Sequence, residues 1–179
     1  IEHSDMEDYL TSKLALFKQC QTACVNLESG QIARILEAAQ SADRVVTFGT
    51  RPEADIYGYN ITKDGFDTVF KVRTKDFDRE FRLTMPGLFN VENGLAAIAV
   101  AYVLNIPEEY IYRGLEKARS SGRMEIYTSS NRDKIIIVDY AHNKLSFDKL
   151  YESAKNEYPD RKIVTVFGCP GGKAFIRRR

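Results

Sequence analysis

Residues 85–105 read MPGLFNVENGLAAIAVAYVLN and decide the fold, because this stretch is strongly apolar and yet begins with polar groups. In residues 95–104 every side chain except that of Tyr102 is small or aliphatic, so we predict a buried helix with no solvent-exposed face. Asn90 and Asn93 fall in its first turn, where unpaired backbone N–H groups and the positive end of the helix dipole favour polar ligands. Two carboxamides one turn apart each offer a donor and an acceptor, which suits the edge of a purine base. The alternative is that Asn90 only caps the helix.

The composition is that of an ordinary globular chain. Its 179 residues are 44% hydrophobic and 28% charged, with a formal net charge of +1. That balance gives no reason to expect a nucleic-acid partner, and the apolar helix is too short to span a bilayer, so we expect no membrane partner either. The three cysteines form no CxxC pair, which disfavours a zinc ribbon and fits a reducing cytoplasm better than a disulfide framework.

The chain begins with a predicted helix over residues 5–21, for which Ser4 and Glu7 form a capping box. Lys13 lies within the apolar stripe of this helix. A lysine in such a position commonly extends its ammonium group to solvent. The alternative is that burial lowers its pKa and leaves a neutral, reactive amine.

Alternating strands and helices follow. A strand, a helix and a strand predict a parallel pair with a right-handed crossover, and three period-two strands predict a small antiparallel meander. A second helix begins at Pro107, and a strand, a helix and a strand then read as the opening of a Rossmann-like domain. The predicted segments after the first helix are residues 23–26, 31–40, 44–48, 56–62, 68–74, 77–84, 95–104, 107–118, 134–138, 145–157 and 162–167.

Two charged residues stand out near the predicted strand at 134–138. Its β-branched run predicts a buried strand, with Asp139 at the carboxyl end, where ligands bind in open α/β sheets. An aspartate there can accept two ribose hydroxyls, and Arg123 can neutralise phosphate charge that grows during transfer. Taken singly, the two residues are more typical of a salt bridge or a helix cap.

Four strings in the sequence resemble motifs of the Mur ligases. Residues 87–97, GLFNVENGLAA, are similar to the adenine-contacting segment GxFNxxNxLAA of that family. GRME at 122–125 and DYAH at 139–142 resemble its junction between the central and C-terminal domains. Residues 9–17 resemble the segment whose lysine is carbamylated by carbon dioxide. The resemblance covers essentially the whole chain.

The resemblance implies a role for each candidate site residue. Asn93 would face the adenine with Asn90 beside it, and Asp139 would bind the ribose. Arg123 would contact the phosphates. A carbamate turns a lysine into an oxygen ligand for Mg²⁺, which is the role implied for Lys13. The remaining candidate is His142, which either orients the nucleotide or holds the hinge between domains.

The resemblance also implies an architecture and a reaction. Residues 1–138 would be the later part of a central ATP-binding domain with a phosphate-loop-type, mostly parallel sheet, and residues 139–179 the beginning of the C-terminal domain. ATP, with Mg²⁺, would phosphorylate the carboxylate of a UDP-N-acetylmuramoyl peptide, and an amino acid would attack the acyl phosphate in a cytoplasmic step of peptidoglycan synthesis. The intact protein is expected to be a monomer, and the amino acid is left open. The alternatives are a folylpolyglutamate synthase-like ligase, a non-catalytic nucleotide-binding piece, and an α/β domain without a nucleotide site.

The sequence contains no phosphate loop of the form G-x-x-x-x-G-K-[ST]. The turn at 168–173 fails the test because its glycines are one residue too close and Ala174 replaces the required Ser or Thr. It resembles instead a glycine turn of the Mur ligases, with Arg177 and Arg178 in the basic positions. Since the family's phosphate loop would precede residue 1, we expect these 179 residues alone to have no ligase or ATPase activity.

Overall fold

The fold is described from a computed structural model, which describes residues 3–65, 67–85, 87, 89–131 and 133–168. The helices of these ranges are α1 (Met6–Leu14), α2 (Ile32–Ala39), α3 (Asn90–Val103), α4 (Glu108–Glu116) and α5 (Lys144–Glu157). The strands are β1 (Thr22–Asn26), β2 (Arg44–Gly49), β3 (Ile56–Asp64), β4 (Asp67–Arg73), β5 (Asp78–Leu83), β6 (Glu125–Thr128) and β7 (Ile135–Val138).

Strands β1 to β5 form one mixed sheet in sequence order. β1 and β2 are parallel and joined by α2, and β3, β4 and β5 form an antiparallel meander, so both predicted units and the α/β class are confirmed. The two units share one sheet because β3 also pairs in parallel with β2. That junction is short: only Phe48 and Gly49 of β2 pair with β3, opposite Ile56 and Tyr57.

The core lies between α3 and one face of this sheet. Leu95 and Ile98 of α3 are fully buried together with Phe70 and Phe81 of the meander. Leu95 fits closely because Gly58 has no side chain: a Cβ there would lie 2.7 Å from a terminal carbon of Leu95. On the other face, α2 covers β1 in a smaller cluster. The long helix therefore fixes the position of both halves of the sheet.

The prediction that α3 has no solvent-exposed face is wrong. Asn93, Ala97, Val100 and Leu104 recur at helical spacing and are exposed, with Val100 at 50% and Leu104 at 65%. The physical reason is that the sheet lies against one side of the helix only. In the described ranges, no helix is long and apolar enough to cross a membrane.

The first helix also differs from the prediction. It ends at Leu14 and continues as a 3₁₀ turn, Ala15–Gln19. Its N-cap is Asp5, whose side chain accepts a hydrogen bond from the backbone N–H of Asp8 at 2.8 Å, so the predicted capping box is wrong. Glu7 turns away from the helix end because it forms an ion pair with Arg34 of α2.

The predicted buried strand near residue 138 is also corrected. β6 and β7 form a separate antiparallel hairpin, in which Ile136 is 60% exposed. Successive side chains of a strand point to opposite faces, and the residues of β7 alternate between partly buried and exposed, so a run of β-branched residues did not require burial. The strand predicted at 162–167 is not formed, and Val166 is 95% exposed. The glycine turn from residue 169 onwards lies outside the described residues, as do Arg177 and Arg178.

Candidate functional site

The first turn of α3 holds the two predicted carboxamides in different environments. Asn90 is buried, whereas Asn93 is exposed and donates a hydrogen bond from Nδ2 to Oδ1 of Asn90 at 3.0 Å. The N-cap position belongs to Phe89, without a side-chain cap, so the alternative of Asn90 as the cap is wrong. Among the described residues no group occupies Oδ1 of Asn93, so that exposed acceptor and the second amide hydrogen are available to a ligand.

A charged residue between the two asparagines connects this turn to other elements. Glu92 accepts a hydrogen bond from Nδ2 of Asn26 at 3.2 Å, and its other carboxylate oxygen lies 3.8 Å from the ammonium group of Lys149 on α5. Sequence analysis missed these three residues. Asn26 could have been found with the rule applied to Asp139, since it ends a strand of the parallel pair.

The carboxyl ends of β1 and β2 carry a second feature that sequence analysis missed. Oε1 of Glu28 accepts hydrogen bonds from the backbone N–H and the hydroxyl of Thr50, at 2.8 and 2.9 Å. Oε2 of Glu28 is buried, with no hydrogen-bond partner among the described residues. A Cβ at Gly49 would lie 2.2 Å from that oxygen, so the absence of a side chain there lets the carboxylate fit. The carboxyl edge of the parallel pair thus presents a carboxylate oxygen with unused accepting capacity.

Asp139 lies at the carboxyl end of β7 and closes a loop. Oδ2 accepts a hydrogen bond from the backbone N–H of Met124 at 3.0 Å, and Oδ1 accepts one from the backbone N–H of Ala141 at 2.7 Å. These bonds orient the carboxylate and leave each oxygen with a further lone pair for a donor such as a hydroxyl.

Arg123 and His142 meet through the ring of Tyr140. The guanidinium carbon of Arg123 lies 4.9 Å from the centroid of that ring, and the ring of His142 lies 5.0 Å from it. Nδ1 of His142 lies 3.0 Å from the carbonyl oxygen of Tyr140. Arg123 also lines a cavity of about 470 Å³ beside Arg119. The structure therefore places Arg123, Asp139 and His142 close together, where the segment before β6 meets the segment after β7.

Lys13 is placed apart from both groups. Its side chain is exposed, and its ammonium nitrogen lies 5.4 Å from the ring centroid of Tyr9. α1 has no buried residue. Of the two alternatives for Lys13, an ammonium group extended to solvent and a buried amine, the structure therefore agrees with the first. Across the described ranges, no three His, Cys, Asp or Glu side chains are arranged to hold a metal ion.

Two family models match the chain in succession. The Mur ligase middle domain matches residues 2–101, and the model described as Mur ligase, glutamate ligase domain matches residues 122–179. Arg123, Asp139 and His142 therefore lie at the start of the second match, and both asparagines lie near the end of the first.

Individual relatives agree with these matches. The UDP-N-acetylmuramoyl-L-alanyl-D-glutamate–2,6-diaminopimelate ligase of Caldanaerobacter subterraneus is 33% identical over 177 residues, covering 98% of this chain and 36% of the relative. The ligase of the same name from Clostridium perfringens is 29% identical over 180 residues, covering 98% and 37%. The crystal structure of MurF from Acinetobacter baumannii matches with a TM-score of 0.76 at 25% identity, covering 90% of this chain and 35% of that one. The chain thus spans little more than a third of the length of these relatives.

Proposed function

The chain belongs to the Mur ligase family, and on that premise we propose that the intact protein is an ATP-dependent ligase of peptidoglycan synthesis. It would act in the cytoplasm as a monomer and add an amino acid to a UDP-N-acetylmuramoyl peptide. The observation that carries the proposal is the succession of the two family matches, with Arg123, Asp139 and His142 grouped at the start of the second.

The residues at hand fit a nucleotide. Asn93 has an exposed carboxamide with a free acceptor, which suits the adenine edge, and Asn90 fixes its orientation through their mutual hydrogen bond. Asp139 is oriented by two backbone N–H groups and would accept the ribose hydroxyls. Arg123 would neutralise phosphate charge, and His142 would hold the hinge through Tyr140.

ATP, when bound, would supply the phosphoryl group that activates the substrate carboxylate as an acyl phosphate for attack by an amine. The contribution of these residues is to position the nucleotide and to neutralise its charge. Mg²⁺ belongs to the same proposal. The described side chains form no three-membered cluster of usual metal ligands, and the oxygen donor that we propose for Mg²⁺ is Lys13 after carbamylation.

The relatives are named for the addition of 2,6-diaminopimelate to a UDP-N-acetylmuramoyl dipeptide. We propose the same type of step, so that the intact protein is a UDP-N-acetylmuramoyl-tripeptide synthetase. The amino acid to assay first is 2,6-diaminopimelate, with lysine second.

The test is a substrate comparison with the intact protein. Amino-acid-dependent release of phosphate from ATP and Mg²⁺ is measured with UDP-N-acetylmuramoyl-L-alanyl-D-glutamate and, separately, with a folate acceptor. Turnover with the muramoyl peptide alone supports the proposal, and turnover with the folate alone makes the protein a folylpolyglutamate synthase-like ligase. ATP binding without turnover on either acceptor would leave a non-catalytic nucleotide-binding protein.

A further inference from the structure

A cavity of about 360 Å³ opens between the start of β2 and the end of β4. It exists because β2 pairs with β3 only from Phe48 onwards, so the first half of β2 has no strand on that side. The backbone N–H of Arg44 points the other way, to Gln21, so strand alternation directs the N–H and C=O of Val45 into the gap. We call this cavity the sheet notch, and the side chains that matter for its chemistry are those of Arg44, Asp55, Tyr57, Arg73, Lys75 and Tyr102.

The sheet notch gathers three cations that form no ion pair among the described residues, although Asp78 lies opposite Arg73 in the register of β4 and β5. In the described part of the chain, Arg44, Arg73 and Lys75 have no carboxylate within 4.0 Å, the ion-pair distance. Their neighbours on β5 differ, because Arg79 and Arg82 each hold two carboxylates. Clustered like charges repel one another and raise the local concentration of anions.

The one carboxylate that lines the sheet notch is already engaged. Oδ2 of Asp55 accepts hydrogen bonds from the backbone N–H and the hydroxyl of Thr47, each at 2.8 Å. Nearby, Asp76 accepts a hydrogen bond from the hydroxyl of Tyr102. Three cations against one lining carboxylate leave a net positive cavity.

One of the cations is held in place by aromatic rings. The guanidinium carbon of Arg73 lies 5.2 Å from the ring centroid of Tyr57 and 5.5 Å from that of Tyr59. The two rings are themselves stacked, with centroids 5.1 Å apart. Since the guanidinium group is fixed before any ligand arrives, less side-chain entropy is lost on binding.

We propose that the sheet notch binds a small phosphate-bearing ligand, whose phosphoryl oxygens contact Arg44, Arg73 and Lys75 and whose apolar part lies against Tyr57. Guanidinium groups suit this role because they bind phosphate through two parallel hydrogen bonds. The volume falls within the range of small-molecule sites. The notch lies beside the C-terminal end of α3, about 14 Å along the helix from Asn93 at its N-terminal end. It is therefore distinct from the proposed nucleotide site and independent of the proposed function.

The experiment is a titration of this chain with inorganic pyrophosphate, followed by calorimetry and by backbone amide NMR shifts. Saturable binding with shifts at Arg44, Val45 and Lys75 is expected. Arg73→Gln and Lys75→Gln should each weaken it at least tenfold, while Lys71→Gln, which removes the same charge from the same face of β4 outside the notch, should leave it unchanged. Thermal melts confirm that each variant is folded. If Arg73→Gln does not fold, Lys75→Gln alone tests the proposal.

Four results would overturn the proposal. The first is no saturable binding of pyrophosphate. The second is an equal loss in Lys71→Gln and Lys75→Gln, which would reduce the effect to general charge attraction. The third is binding that Arg123→Gln removes and Lys75→Gln does not, which would place pyrophosphate at the hinge instead. Malonate is titrated in parallel, and equal affinity for this dicarboxylate would overturn the assignment to phosphate.

Discussion

Asn90 and Asn93 belong to one motif, yet their surroundings give them different tasks. Asn90 is 3% exposed and accepts a hydrogen bond from Asn93, so truncating it would remove a buried polar partner from the start of α3. Asn93 lies on the solvent side of the same turn, where its remaining hydrogen-bonding groups can reach a ligand. Changes at Asn93 should therefore affect binding more than folding.

We predict that Asn93→Ala in the intact protein weakens ATP binding by about 1 to 2 kcal/mol, the usual range for losing one partner of a buried hydrogen bond. The melting temperature should hardly change, because the side chain is exposed in this chain. Calorimetric titration with ATP measures the affinity. Asn156→Ala, which truncates an exposed asparagine on α5, is the matched control. Unchanged ATP affinity in Asn93→Ala would return this residue to a structural role.

Lys13 is the residue for which the interpretation of the sequence motif and the environment in the structure differ most. Its motif implies a carbamate, whereas the structure gives an exposed side chain against Tyr9. We predict that Lys13→Ala in the intact protein lowers turnover by roughly 100-fold or more, in the range for removing an electrostatic group from an active site. Because the position is open to solvent, acetate or another short carboxylate should partly restore turnover by replacing the lost oxygens.

The control for this prediction is Lys18→Ala, which removes another exposed lysine from the adjoining 3₁₀ turn. Phosphate release is measured for both variants with and without added carboxylate. Full activity of Lys13→Ala would refute the assigned role.

At the scale of single residues, the sequence predicted polar groups that stand in distinctive motifs and missed those that act through partners. Arg123, Asp139 and His142 could be proposed together because they lie in two recognisable strings. Glu28 gave no comparable signal. Its carboxylate matters because Gly49 leaves room for it and Thr50 binds it, and both facts depend on strands that are distant in sequence.

At the scale of elements, hydrophobic periodicity predicted strands and helices well but not what covers them. The meander and the parallel pair were predictable because each has its own period and turns. The exposed face of α3 was not predictable, since Val100 and Leu95 have equally apolar side chains and only the position of the sheet distinguishes them. The prediction of a buried strand at β7 failed for the same reason, because the sequence does not show what packs against the strand.

This difference between the two faces of α3 gives a stability prediction. Leu95 is fully buried against Gly58, whereas Val100 is half exposed. We predict that Leu95→Ala lowers the free energy of unfolding by about 2 to 5 kcal/mol, through lost burial and the cavity left behind. Val100→Ala should cost less than about 1 kcal/mol. Urea denaturation of the two variants compares them directly, and similar losses would contradict the one-sided packing of the helix.

The far end of α3 gives a pH prediction. Burial, followed by the hydrogen bond to Asp76, raises the pKa of Tyr102 to about 12. In the unfolded chain the phenol ionises at its ordinary pKa of about 10, so between these two values the folded state keeps a proton that the unfolded state has lost. The resulting stabilisation is complete below pH about 10 and is lost as the pH rises towards 12.

We therefore expect Tyr102→Phe to reduce the alkaline decline of the free energy of unfolding over this interval. Urea denaturation at several alkaline pH values measures that decline. Tyr110→Phe, at an exposed tyrosine of α4, is the control. An identical decline in wild type and Tyr102→Phe would contradict the prediction.

At the scale of the whole molecule, α5 ties the second matched segment to the first. Lys149 of α5 lies 3.8 Å from Glu92 in the first turn of α3, and Glu157 forms an ion pair with Lys63 at the end of β3. Both contacts lie near the carboxyl edge of the sheet, on the side of the proposed nucleotide site. Lys149 of α5 thus forms a surface ion pair with the turn that carries Asn93.

The last prediction concerns this chain by itself. Phosphoryl transfer in phosphate-loop enzymes uses backbone N–H groups, a lysine and a hydroxyl on Mg²⁺ around the β- and γ-phosphates, which a G-x-x-x-x-G-K-[ST] loop supplies. The 179 residues contain no such loop, although they hold the groups proposed for the base, the ribose and the hinge.

Purified alone and supplied with ATP, Mg²⁺, muramoyl peptide and 2,6-diaminopimelate, the chain should release phosphate no faster than a blank without protein. It should nevertheless retain weak ATP binding that Asn93→Ala reduces. Turnover comparable to that of the intact protein would mean that the phosphates are held by residues within this chain, and the roles assigned to Arg123 and Lys13 would then have to be redrawn.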